Sequence, residues 1–260
     1  MQQSETLPPI TTATLDHGWI WLRDGYRLYM QSPINWLVMC VMFIVGLLIF
    51  SFIPLLSLLV QITVPGITAG LMLAAHTLQR GVRINPGYLL AGFRRNRNEL
   101  LLLGVISLIA NTLIMIVTSL LLGLFTNTSI IEITNNLQSG VVPDEKMLND
   151  LFYLAILLGT LTLPLIMALW FSPALIVLND LKAWTAFKLS FKACQHNIIP
   201  FIAYGLVSVG FIILATLPFG LGLMILTPVI LIALTPALFC SMYCSWRDVF
   251  GEHKTDTKTE

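Results

Sequence analysis

Four stretches of the chain carry no Asp, Glu, Lys or Arg: residues 28–79, 100–131, 151–179 and 193–246. A helix needs about 20 apolar residues to cross a bilayer, so the two middle stretches hold one span each. The outer two are more than 50 residues long and must each fold back once. Proline ends a helix and glycine permits a turn, which puts the reversals at Pro54 and at Leu217-Pro218-Phe219-Gly220. The pattern predicts an all-α integral membrane protein with six spans, at about 34–53, 55–78, 100–125, 151–172, 198–217 and 221–243. An even number of spans leaves both termini on one side.

The polar segments between the spans contain a threefold echo. Gly25-Tyr26-Arg27, Gly92-Phe93-Arg94 and Ser190-Phe191-Lys192 each stand shortly before a membrane entry. Each is a small residue, an aromatic and a base. The first and third copies align further, pairing Trp19 with Trp184, Arg23 with Lys188, Tyr26 with Phe191 and Arg27 with Lys192. Trp19, Leu22, Tyr26 and Met30 fall on one helical face, as do Ala183, Phe187, Phe191 and Cys194. Such segments suit short amphipathic helices in the membrane interface, with aromatics toward the acyl chains and Arg or Lys at the headgroups. The repeating unit is therefore an interfacial helix followed by a transmembrane hairpin. Every hairpin enters and leaves on the same side, so the three copies are expected to be parallel repeats and not inverted ones.

Composition agrees with this reading and adds direction. Apolar residues make up 57% of the chain and charged residues 10%, against roughly 25% charged in a soluble domain. A net charge of +1 argues against a nucleic-acid binder. Thirteen of the fourteen basic residues fall on one side of the expected spans, and Lys146 alone falls on the other. By the positive-inside rule both termini are cytoplasmic. Residues 1–17 are polar and rich in Ser, Thr and Pro, so a disordered tail without a cleavable leader is expected there, and a second tail over 251–260. Cys40, Cys240 and Cys244 lie in spans and Cys194 on the cytoplasmic side, which predicts free thiols. In the outer loop, Ser129 with Glu132 suggests a capping box, and Pro143-Asp144-Glu145 suits the first turn of the next helix.

The second helix of each hairpin carries proline: Pro65, then Pro164 and Pro173, then Pro228 and Pro236. Ser172-Pro173-Ala174-Leu175 and Thr235-Pro236-Ala237-Leu238 nearly coincide. Small residues recur four apart on the same helices, as Gly66 and Gly70, Ala155 and Gly159, and Ala233, Ala237, Ser241 and Ser245. Kinked helices packed closely through small residues account for both features.

Candidate chemistry is sparse. The spans hold no ionisable residue at depth, and the P-loop, H-E-x-x-H, G-x-S-x-G and C-x-x-C patterns are missing from the sequence. No catalytic residue, metal ligand or cofactor site is expected. Gln61 and Asn111 suit hydrogen bonds between helices, and His76 and His196 suit interfacial positions. What stands out is a basic belt of Arg80, Arg83, Arg94, Arg95 and Arg97, with Lys182, Lys188 and Lys192 as a second cluster. Orientation alone can require such charge. Contact with anionic phospholipid headgroups is the other reading, and Arg94-Arg95-Asn96-Arg97 is denser than orientation needs.

Through Gly92-Phe93-Arg94-Arg95-Asn96, Phe171-Ser172-Pro173-Ala174-Leu175, Lys188-Leu189-Ser190-Phe191-Lys192 and Trp246-Arg247-Asp248-Val249-Phe250, the chain resembles a family of uncharacterised six-span inner-membrane proteins of Gram-negative bacteria. More loosely it resembles the membrane domains attached to some bacterial glycerophosphodiester phosphodiesterases. The resemblance spans about 18–250 and implies a bacterial inner-membrane location. It implies no reaction, because the phosphodiesterase barrel is missing from this sequence. The expected function is non-enzymatic: engagement of anionic phospholipid, or support of envelope assembly. The alternative is a transporter or channel for a neutral or weakly polar solute, built around Pro65, Pro173 and Pro236.

Overall fold

A computed structural model describes residues 7–139, 142–216 and 226–251, and its regular elements are all helices. Helix α1 (His17–Tyr29) is followed by α2 (Pro33–Ser51) and α3 (Pro54–Gln79). A 3-10 turn over Pro86–Leu90 leads into α4 (Ala91–Arg95), α5 (Arg97–Thr126), α6 (Ile130–Gln138) and α7 (Glu145–Trp170). Then come α8 (Ser172–Asn179), α9 (Ala183–His196), α10 (Ile198–Thr216) and α11 (Leu226–Phe250).

Local chemistry sets the helix ends. Pro33 and Pro54 stand in the first turns of α2 and α3, where the missing N–H is no loss. The reversal expected at Pro54 is therefore in place; the one at Leu217-Pro218-Phe219-Gly220 lies outside the described residues. Ser129 Oγ accepts the Glu132 N–H at 3.1 Å to start α6. Asp144 Oδ1 accepts the Met147 N–H at 2.8 Å to start α7. α5 ends on Asn127 in the left-handed region (φ 57°), which asparagine tolerates better than most residues.

Four helical stretches are long and apolar enough to cross a membrane: Pro33–Phe50, Leu58–Gln79, Arg97–Thr126 and Glu145–Asn179. They match the first four expected spans. The fifth expected span falls on α10, where Ile198–Phe211 is a shorter apolar stretch. The sixth falls on α11, with 217–225 outside the described residues.

Burial is concentrated where the helices adjoin the basic segments. Leu71, Met72 and Leu78 of α3, Leu100 and Leu103 of α5, Phe171, Leu175 and Ile176, and Cys240, Tyr243, Trp246 and Phe250 belong to this core, with Trp21 of α1 and Trp36 of α2. The far halves are just as apolar but open. On α5, Ile109, Leu113, Ile116, Leu120 and Leu124 are all exposed. In water each would forgo about 25 cal/mol per Å² of unburied apolar surface. In hydrocarbon the surroundings are as apolar as the side chains and that penalty disappears. The chain is an all-α membrane protein.

Three expectations need correction. The lead-in is not a free tail over its whole length: the Thr11 N–H donates to the Val249 carbonyl at 2.9 Å, and Asn197 holds Thr11 and Ala13. Pro173 does not kink a continuous span. It opens α8 after α7 stops at Trp170, whereas Pro65, Pro164 and Pro236 lie inside α3, α7 and α11. Gly159 makes no close helix contact, because a Cβ built there meets nothing within 4 Å among the described residues. Pro228 lies within α11, its side chain outside those described.

Candidate functional site

The segments that carry the three echoes all dock on long apolar helices, each through its small residue. Gly25 of α1 faces α11 so closely that a Cβ would sit 2.5 Å from the Ser241 nitrogen. Gly92 of α4 meets α3, where a Cβ would lie 2.3 Å from the Gly66 carbonyl oxygen. Ser190 of α9 meets the end of α7: its hydroxyl donates to the Met167 carbonyl at 2.7 Å and accepts the Phe171 N–H at 2.9 Å. Gly70 takes part in the second docking, since its Cβ would strike the Tyr88 and Leu89 carbonyl oxygens at 2.4 and 2.6 Å. Gly66 and Gly70 thus admit the segment of Tyr88 to Phe93, not a neighbouring span.

On α1 the buried residues are Gly18, Trp21, Gly25 and Leu28. Trp19, Tyr26 and Met30 are about half exposed, at 48%, 54% and 50%. The apolar face expected from the spacing stays out of the core and borders α10, where Trp19 stacks on Phe211 with ring centres 6.0 Å apart, so Tyr26 and Met30 remain open as a face meant for acyl chains must be. On α9 the packed face is Ala183, Ala186, Leu189, Ser190, Ala193 and Cys194, with Phe187 and Phe191 half-buried at its border.

Polar contacts pin this layer in place. Asp248 accepts from the Trp21 indole N–H at 2.8 Å and lies 2.5 Å from His17 Nδ1, tying α1 to α11. Asp24 is shared by three guanidinium groups, with Arg23 at 3.1 Å, Arg247 at 3.8 Å and Arg27 at 3.9 Å. Beside it lies a small cavity of about 170 Å³, lined by Arg27, Leu28, Gln31, Gln79, Cys244 and Arg247. The Glu99 carboxylate accepts the Ala183 N–H at 2.7 Å, so α5 supplies a cap for the start of α9.

The basic belt follows this framework. Arg80 ends α3, Arg83 lies in the following loop, Arg94 and Arg95 end α4, and Arg97 opens α5; all are exposed. Arg95 pairs with Asp180 at 3.2 Å, and Asn96 donates to the same carboxylate at 3.4 Å. The turn carrying Lys182 is thereby brought beside Arg94, Arg95 and Arg97. Among the described residues, no carboxylate lies within ion-pair distance of Arg80, Arg83, Arg94 or Arg97, nor of Lys188 or Lys192. A base at the first position of a helix opposes the macrodipole, so Arg97 gains nothing from α5 itself. Lys188 lies further along α9 with its ammonium 5.9 Å from the Trp184 ring centre.

The polar residues expected to hydrogen-bond within the bundle make local contacts instead. The Asn111 amide donates to the Ser107 carbonyl of its own helix at 3.0 Å, and Gln61 is exposed. His76 does bridge helices, with Nδ1 3.1 Å from the Tyr243 hydroxyl, while His196 Nδ1 lies 2.8 Å from the Lys192 carbonyl oxygen. All four cysteines are free and buried. At Cys194 burial pushes the thiol up to about 12.

Asp24, Glu99, Asn197, Arg247 and Asp248 matter most to this architecture beyond the belt, and sequence reasoning did not select them. Most of their partners lie 80 or more positions away, so no local spacing marks them.

No family model matches the chain, and no solved structure matches it. It is similar to a probable inner membrane protein of Burkholderia thailandensis, 26% identical over 253 residues that cover 90% of this chain and 91% of that protein. This similarity lends no support to the looser likeness to phosphodiesterase membrane domains.

Proposed function

We propose that this chain is a six-span protein of the bacterial inner membrane, with both termini cytoplasmic, that engages anionic phospholipid through its cytoplasmic face. It acts as a binding protein and not as an enzyme. The location is supported by the similar protein of B. thailandensis and by the apolar outer surface. Six spans are supported by the apolar lengths of α10 and α11 beyond the four longer stretches. The three dockings through Gly25, Gly92 and Ser190 support a threefold repeat, in which each interfacial segment packs on the second helix of the preceding hairpin and α1 closes the ring on α11.

The observation that carries the functional reading is the unpaired belt. Arg80, Arg83, Arg94 and Arg97 are exposed beside a lipid-facing surface without carboxylate partners among the described residues, and each base near an anionic leaflet is worth about 1 kcal/mol. Arg95, paired with Asp180, belongs to the framework instead. The test is native mass spectrometry of the full chain in mild detergent, beside a variant carrying Arg83→Gln, Arg94→Gln and Arg97→Gln. The expected result is bound phosphatidylglycerol or cardiolipin on the wild type and less anionic lipid on the variant. Identical lipid loads across these and all other basic-face variants would leave the belt with a topogenic role only.

A further inference from the structure

Two apolar grooves open on the side of the bundle, and the repeat makes them one groove built twice. The first, about 460 Å³, lies where α9 crosses α5 and α7; it is lined by Ala110, Leu113, Pro164, Phe187, Lys188 and Phe191 among others. The second, about 430 Å³, lies where α1 crosses α10 and α11, with Leu22, Arg23, Tyr26, Ser208, Phe211 and Ala237 in its wall. The alignment that pairs Arg23 with Lys188 and Tyr26 with Phe191 also pairs Leu22 with Phe187. The alignment that pairs Gly92 with Ser190 also pairs Ala110 with Ser208 and Leu113 with Phe211. Two registers fixed by the echoes alone thus superimpose two walls of one groove on the other. The third wall is in each case the helix around an internal proline, Pro164 in α7 and Pro236 in α11.

The shared chemistry is an apolar trough with one base at its mouth, and the geometry points to each groove as the seat of a single phospholipid. An acyl chain lies in the trough and the headgroup phosphate meets Lys188 or Arg23. Both volumes fall within the roughly 300–1,000 Å³ of ordinary ligand sites. Water cannot fill an apolar trough that opens into hydrocarbon, and a Lys or Arg stem lies along apolar surface while its charge reaches the interface. Lys188 has no carboxylate within ion-pair distance among the described residues, and its ammonium lies 5.9 Å from the Trp184 ring centre. Arg23 shares its one carboxylate, Asp24, with Arg27 and Arg247, so that corner keeps a positive excess. The same registers assign Leu90 to the base position of the second copy and Phe93 to the aromatic one. Phe93 packs onto Gly66 there, and with no base that copy is not a phospholipid seat.

This inference rests on the proposed engagement of phospholipid but moves its tightest contacts from the Arg80–Arg97 belt to the grooves. The test titrates phosphatidylglycerol into the full chain in mild detergent and counts bound lipid by native mass spectrometry. The wild type is expected to hold two lipids more tightly than the rest. Lys188→Gln and Arg23→Gln should each weaken one of them about fivefold, the worth of one base near a phosphate, and together they should weaken both. Ala110→Phe, which fills the first trough and leaves Lys188 in place, should displace the same lipid as Lys188→Gln. Lys188 is exposed, so its variant keeps the test valid if the larger phenylalanine disturbs folding. The Arg83, Arg94 and Arg97 triple variant should retain both tight lipids. If that triple variant loses them while the groove variants keep them, the grooves are not the site and the belt reading stands. If neither set changes the count, both readings fail.

Discussion

Ser190 shows how little room the docked layer of α1, α4 and α9 leaves. Its hydroxyl is the partner of the buried Phe171 N–H and also bonds the Met167 carbonyl. Ser190→Ala leaves that N–H without a side-chain partner, and an unsatisfied buried donor costs about 1–3 kcal/mol. Its thermal unfolding in detergent should fall measurably. Gly25→Ala and Gly92→Ala should do the same by a different route, since backbone atoms of Ser241 and Gly66 block the added Cβ; overpacking of this kind costs about 1–3 kcal/mol. Gly46 and Gly123 are the internal comparison. Among the described residues nothing lies within 4 Å of a Cβ at either position, and alanine is favoured over glycine in a helix by about 1 kcal/mol, so those variants should be neutral or slightly stabilising. Cys194 gives a pH prediction. Its burial pushes the thiol up to about 12, so at pH 8 almost none is thiolate, the reactive form. Maleimide should label it far more slowly than an exposed probe such as Gln195→Cys, and its rate should go on rising with pH up to about 12.

The way elements are joined separates what the residue pattern reveals from what it hides. The lead-in before α1 reads as a tail because it is short, polar and lacks periodicity, yet Asn197, fully buried, holds its Thr11 carbonyl and Ala13 N–H. Asn197→Ala should therefore release the lead-in while leaving the spans intact, and hydrogen exchange at residues 10–16 should rise with that in α3 unchanged. An unchanged lead-in would show that the Thr11–Val249 bond suffices alone. The helices themselves are legible in the sequence, because long uncharged runs, proline at first turns and Ser or Asp caps are local signals that act within a few residues. The dockings of α1, α4 and α9 are half legible: the small residue, the aromatic and the base repeat, but nothing in the repeat says onto which helix each copy folds. The grooves were hidden for the same reason. Leu113 and Phe211 look like ordinary lipid-facing residues until α9 and α1 are laid across them. Pro173 misled for a complementary reason: it shares a tetrapeptide pattern with Pro236, but by distance from the docked segment the counterpart of Pro236 is Pro164. Ser241 docks Gly25 five residues after Pro236, Gly70 adjoins the second docking five after Pro65, and Met167 and Phe171 bracket that position after Pro164.

For the molecule as a whole, the distribution of charge and the distribution of packing point the same way. Thirteen of fourteen basic residues gather at one end of the expected spans, and that end also holds the buried core, while the far halves of α2, α5 and α7 present open apolar faces. A bundle tight at its basic end and open along its far apolar halves concentrates its specific contacts where α1, α4 and α9 dock. This architecture depends on α10 and α11 crossing the bilayer as a hairpin. Four spans and six both return the C-terminus to the starting side, so the position of the termini does not distinguish them; the α10–α11 connection does. Single cysteines at Thr12, Ser139 and Leu221 decide the matter on an existing quiet background, because all four native cysteines are buried. In intact cells with a permeabilised outer membrane, an impermeant maleimide should label Ser139→Cys and Leu221→Cys and spare Thr12→Cys until the inner membrane is opened. Protection of Leu221→Cys beside labelled Ser139→Cys would reduce the protein to four spans with α10 and α11 on the cytoplasmic side. Labelling of Thr12→Cys with protection of Ser139→Cys would invert the orientation and place the basic belt, and both grooves' bases, on the wrong leaflet for the proposed function.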